Sequence, residues 1–256
     1  MKKSVVALLL VLVVVFPGGL FAADISVAGA VKNPLNLSME ALGGFRTVRV
    51  QLNEIMKDGA YRGSWFYEGV PLRTLLETAF VEKEESGYPK AIDVAVVVRG
   101  GEGREVALSW GEIFYRNSAD IIIATRAVPI RPRHKSDSTE KHAKQFERKI
   151  GFPKLVVAAD AYADRSIENV VSIDVVDPRP GVGMKKSETL FAPAFTVTGA
   201  VKQALTVDDL AAFPRRDRRV AHMGEGSGYG GIDDFSGAPL HALLEKAGAS
   251  QSLSNI

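Results

Sequence analysis

The chain contains no cysteine among its 256 residues. That absence excludes disulfides, thiolate nucleophiles, iron–sulfur clusters and c-type haem attachment together. Stability must come from an apolar core, and a redox role would need a bound cofactor. Histidine is also scarce: the four are scattered, and His134 and His142 have the wrong spacing for one helix face, so there is no zinc signature. No Gly-x-Ser-x-Gly elbow marks a hydrolase. Neither sign of charge dominates, with 32 Lys and Arg against 30 Asp and Glu, so composition alone points to neither nucleic acid nor a membrane surface. The apolar run Val5 to Phe16 is 12 residues long, short of the roughly 20 that cross a bilayer.

That run belongs to an export signal. Lys2 and Lys3 precede it, Pro17, Gly18 and Gly19 break it, and Leu20 to Ala23 (LFAA) ends in small residues that suit a signal peptidase. The sequence predicts a signal peptide over 1–23, cut near Ala22 or Ala23, and a periplasmic or secreted protein with no stable membrane span. The Lys pair is not a twin-Arg signal and the missing Cys excludes a lipobox, so export of an unfolded chain is expected.

Self-similarity organises the remainder. Ile25 to Asn33 (ISVAGAVKN) returns as Phe195 to Gln203 (FTVTGAVKQ), with Gly29 matching Gly199 at an offset of 170. Tyr67 to Glu77 (YEGVPLRTLLE) returns as Phe235 to Glu245 (FSGAPLHALLE), with Gly69 matching Gly237 at an offset of 168. Two blocks in the same order read as a duplication. The predicted organisation is a full unit over 24–177, a Pro/Gly-rich linker over 178–193, and a partial second copy over 194–256 that lacks everything after its helix, including four strands. Such a remnant, or a shortened reading frame, would leave strand edges and an apolar helix face uncovered.

Within the first unit, Val27 to Val31 alternates as a strand and Ser38 caps a short helix over Met39 to Leu42. Pro71 opens a helix burying Leu72, Leu75, Leu76 and Phe80. Ile92 to Val98, Glu105 to Leu108, Ile121 to Ala124, Leu155 to Ala158 and Val170 to Val176 read as strands, and Trp110 to Tyr115 as a short helix. Gly226 to Gly231 satisfies G-x-G-x-x-G, but no helix opens on it, so the sequence predicts a flexible loop rather than a dinucleotide site.

These blocks resemble the molybdopterin-binding domain of the sulfite oxidase group. The resemblance rests on Val27 to Pro34 (V-x-G-x-V-x-x-P), Gly69 to Leu76 (G-x-P-L-x-x-L-L) and Gly151 to Val157 (GFPKLVV), followed by the strand ending at Val176. It implies an α+β fold of mixed β-sheets with short helices, duplicated here. The family holds molybdenum through a cysteine thiolate on the strand that runs here through Phe45 to Leu52. Neither that strand nor its counterpart near Val220 to Met223 has one. Lys154 stands where the family commonly places an Arg near the pterin, and Glu168 reverses a charge that would face an anionic cofactor. With the soft ligand gone, no cofactor, metal ligand or catalytic residue is expected, although retention of molybdopterin stays open.

The chain is therefore expected to bind a protein partner or a small anionic ligand without catalysis. Arg131 to Lys149 carries seven Lys and Arg against three Asp and Glu, a net of +4. Lys154, Arg131, Arg133 and His134 are the candidate residues on an anion or pterin side. The bland alternative is a solvated, partly helical insertion, and the arginines at 215, 216, 218 and 219 read the same way. Two other functions stay open: a molybdopterin-dependent oxidoreductase with an unusual metal ligand, and a soluble-ligand-binding β-grasp module of an export system. The latter is similar only over the Val-x-Gly-Ala-Val-Lys-x-Pro stretch.

Overall fold

The computed structural model describes residues 24–83, 91–101, 103–130, 147–178, 192–224 and 228–249. Over 24–178 the elements are β1 (Ile25–Gly29), β2 (Leu35–Leu37), α1 (Met39–Gly43), β3 (Val48–Ile55), β4 (Tyr61–Pro71), α2 (Leu72–Ala79), β5 (Ala95–Gly100), β6 (Glu105–Ser109), α3 (Trp110–Phe114), β7 (Ile121–Pro129), β8 (Lys154–Val157) and β9 (Val170–Val176). They form a five-stranded sheet, β2-β1-β9-β5-β6, and a four-stranded sheet, β3-β4-β7-β8. Among the described strands only β1 and β9 run parallel. The architecture is α+β, mostly sheet with a few short helices.

Helix starts follow local chemistry. Ser38 Oγ accepts the Ala41 N–H at 3.1 Å to cap α1, and Ser109 with Glu112 forms a reciprocal capping box on α3. After Pro71, α2 buries Leu72, Leu75, Leu76 and Ala79. Phe80 departs from the expected stripe. It ends the helix in a left-handed conformation, φ 56°, which swings the ring 54% into solvent, where Lys32 Nζ lies 5.4 Å from its centroid. The strand expected from Ile92 instead begins at Ala95. A 3₁₀ turn occupies Ala91–Asp93, and the Asp93 carboxylate is tied to Lys83 at 2.8 Å.

Two apolar clusters lie on opposite faces of the β3-β4-β7-β8 sheet. The larger joins Ile25, Val27, Val96 and Ile173 of the other sheet to the α2 leucines and to Ile121, Ile123, Leu155 and Val157. The smaller collects Leu52, Met56, Trp65, Tyr67, Ile122, Ala124 and Val156. Strands β7 and β8 are thus covered on both faces, which is why they read as continuous apolar runs rather than alternating ones. Alternation also sends Lys154 to the smaller cluster, on the same face as Val156.

Over 192–249 the elements are β10 (Phe195–Val197), β11 (Leu205–Val207), β12 (Arg216–Gly224), β13 (Gly228–Gly237) and α4 (Leu240–Ala247). β10 pairs with β11, and β12 with β13, all antiparallel. Gly228 to Gly231, expected in a loop, lie in β13 opposite His222, Met223 and Gly224. Backbone pairing makes that strand, and a run nearly without side chains gives no periodicity to reveal it.

Local geometry recurs between the two regions. Val31 N–H donates to Gly29 O at 2.7 Å, and Val201 N–H to Gly199 O at 2.8 Å. Lys32 N–H donates to Phe80 O at 2.8 Å, and Lys202 N–H to Gly248 O at 3.1 Å. Val48 pairs with Gly69, and Arg216 with Gly237, 168 residues on. Burial does not recur. Leu72 is fully buried but the matching Leu240 is 66% exposed, and Phe195, Val220, Ile232 and Phe235 are exposed as well. No helix among the described residues is long and apolar enough to cross a membrane. The expected signal peptide, the body of the linker and the tail after Ala249 lie outside the described residues.

Candidate functional site

Alternation along β3 puts Val48, Val50, Leu52 and Glu54 on the face of the smaller cluster, and along β4 it puts Trp65 and Tyr67 there. A carboxylate therefore arrives at an apolar position, and Glu54 is buried. β8 brings Lys154 to the same place, 1% exposed. Its ammonium donates to Glu54 Oε1, to the Tyr67 hydroxyl at 3.1 Å and to Glu168 Oε1 at 3.3 Å, which uses all three N–H groups. Tyr67 in turn donates to Glu54 Oε1 at 2.6 Å. Arg148 closes the network by pairing with both Glu54 and Glu168, and the Gly151 N–H donates to Glu168 Oε2 at 2.8 Å.

Two cations meet two carboxylates, so the cluster is neutral. Burial alone would raise the Glu54 carboxyl, but the Lys154 ammonium, with its hydrogen bond and those of its neighbours, holds it below the usual range. Tyr67 is pushed up, first by burial and then by the Glu54 carboxylate. Desolvation lowers Arg148, and Glu54 and Glu168 outweigh it, so the guanidinium is held more firmly protonated than usual. Glu54 is thereby favoured as the carboxylate, Tyr67 as the neutral phenol and Arg148 as the guanidinium, which suits a structural clasp.

Of the four residues nominated from sequence, Lys154 is placed at the centre of this network, while Arg131, Arg133 and His134 lie outside the described residues. Lys154 does not face a ligand surface: its charge is consumed inside the protein. Glu168 turns inward to it and to the Gly151 N–H. Sequence reasoning missed Glu54 and Tyr67, although a charged residue in the apolar phase of β3 was a legible signal. Arg215 and the arginines of β12 are exposed, with Arg215 against Asp217 and Arg219 against Asp234, each at 2.8 Å.

The donor set does not fit molybdenum held by a pterin. The whole sequence lacks a thiolate, and the inward donor on β3 is a hard carboxylate already bound to two cations. Trp65 Nε1–H is buried without an acceptor among the described residues, but one neutral donor does not balance an anionic cofactor. Among the described residues no three His, Asp or Glu are grouped to hold a metal. A separate cavity of about 780 Å³ lies at the ends of β1 and β9, walled by Gly29, Val31, Lys83, Arg99 and Asp174. Its charges are of both signs; Lys83 pairs with Asp93, and Arg99 with Asp174 and Glu105.

No protein-family model matches the chain, and no curated protein does. Among solved structures it is similar to the sulfane dehydrogenase SoxCD from Paracoccus pantotrophus, at 17% identity and a TM-score of 0.41. The match covers 60% of this chain and 38% of that one.

Proposed function

We propose that this chain is an exported, non-catalytic binding module built on a scaffold like the sulfite oxidase group's molybdopterin-binding domain, with a partial second copy after it. The observation that carries the reading is the closed network at Lys154. The cation that the resemblance sets beside a pterin is buried, and Glu54, Tyr67 and Glu168 saturate it. The missing cysteine supports the same reading, because nothing in the sequence replaces a soft metal ligand. The recurring hydrogen bonds around Gly29 and Gly199 support the duplication, and Lys2, Lys3 and the Val5 to Phe16 run support export. The β-grasp likeness is confined to β1 and the turn after it.

Molybdenum and released pterin are to be measured on protein exported by its own signal from a host that makes the cofactor. Both are expected far below stoichiometric. Near-stoichiometric molybdenum would sink the proposal and favour an oxidoreductase with an oxygen or nitrogen ligand. N-terminal sequencing of the same preparation is expected to begin just after Ala22 or Ala23.

A further inference from the structure

Arg216, Arg218, Val220 and His222 occupy one face of β12, opposite Gly237, Phe235, Asp233 and Gly231 of β13. The other face neutralises itself, Arg215 pairing with Asp217 and Arg219 with Asp234. On the first face His222 Nε2 lies 3.0 Å from Asp233 Oδ2. Neither Arg216 nor Arg218 meets a carboxylate among the described residues; Arg218 reaches only the Asp217 carbonyl oxygen, at 3.2 Å. The two residues stand one side-chain repeat apart, roughly 6.7 Å along the strand backbone, and Phe235 lies opposite Arg218 with 49% of its surface exposed.

The matching face of the β3–β4 hairpin shows what has changed. There Val48, Val50, Leu52 and Glu54 face Trp65 and Tyr67 inside the smaller core. At positions 168 residues later, two of these apolar side chains are arginines, and the face is open among the described residues. An apolar cover like the first hairpin's would bury two unpaired guanidinium groups, so whatever covers this face must bring anions. A second copy docking by the same face would set Arg216 and Arg218 against their own kind. A polyphosphate backbone fits poorly, because the basic stripe is only two residues long and Asp233 lies beyond its end on the same face.

We infer that this face of β12–β13 docks an extended acidic segment of a partner protein. Carboxylates at positions i and i+2 of that segment repeat at the spacing of Arg216 and Arg218, and an apolar residue between them covers Phe235. The inference deepens the binding-module reading and rests on it. The probe is a fluorescent peptide of alternating Glu and Val, titrated with the full chain by anisotropy at low and high salt. Saturable binding that weakens with salt is expected. R216E/R218E should weaken it by at least ~10-fold and instead take up the Lys–Val counterpart peptide. K202E/K246E changes the net charge by the same amount elsewhere and should stay within about 2-fold, if contacts rather than net charge decide. Absence of saturable binding, equal weakening by both double variants, or no swap of peptide preference would overturn the inference. Arg216 and Arg218 are exposed, so circular dichroism should show unchanged melting. A failure here leaves the metal and pterin result standing, and the reverse also holds.

Discussion

Replacing Lys154 by Met should lower the unfolding free energy by about 3–5 kcal/mol, the cost of stranding a buried carboxylate without its cation. Glu54 would lose its ammonium partner and Tyr67 one of its donors, while Arg148, at the edge of the network, cannot neutralise both Glu54 and Glu168 from inside. Both tryptophans, Trp65 and Trp110, lie in the region that holds the network, so urea unfolding followed by tryptophan fluorescence reads this loss directly. The E54Q/K154M double variant removes both charges and should recover about half of the loss or more, because two neutral groups need no mutual compensation. If K154M alone costs less than about 1 kcal/mol, the network is a surface-like pair and the argument that Lys154 is unavailable to a ligand fails with it.

The same network sets an acid limit. The Glu54 carboxyl is held below its ordinary value of 4.5, so its contribution is full above that value and fades as pH falls through the lower, folded one. The stability gap between the wild type and E54Q should therefore be constant near neutrality and narrow only in acid below about pH 4.5. A gap that narrowed on the alkaline side instead would reverse the sign assigned to Glu54.

Gly29→Ala should cost about 3–5 kcal/mol, from a left-handed φ together with overpacking. Gly29 sits at φ +91°, and a Cβ there would lie 2.1 Å from the Val175 carbonyl oxygen of β9. Neither strand can yield without breaking the parallel β1–β9 ladder. Gly199 is the matched residue of the second block and provides an internal control. Its φ is +106°, but nothing lies within 4 Å of an added Cβ. Gly199→Ala should cost only the backbone term, about 1–2 kcal/mol, a clearly smaller shift. Equal shifts in the two variants would mean that the close approach of β1 to β9 is not what requires glycine at position 29.

The capped helix start at Ser38, the α2 leucine stripe and the apolar runs of β7, β8 and β9 were all legible in the sequence. Each is fixed by neighbours a few residues away: a hydroxyl beside free helix N–H groups, a period of 3.6 or 2, a Pro at a helix start. The same local logic missed β13, whose Gly-rich start has no pattern, and it misplaced Phe80, whose direction is set by a single left-handed residue at the helix end.

The site divides in the same way. Sequence alone determined that no thiolate can hold a metal, that Lys154 occupies a notable position and that β12 is rich in arginine. Only the tertiary structure decided what those charges do, because the energy of a charge depends on its distance to other charges and to water rather than on its place in the chain. Lys154 is 100 residues from Glu54, yet the two strands bury them together and neutralise them. Arg216 and Arg218 alternate with Asp217 in the sequence, and the pleat alone separates a self-paired face from a cationic one.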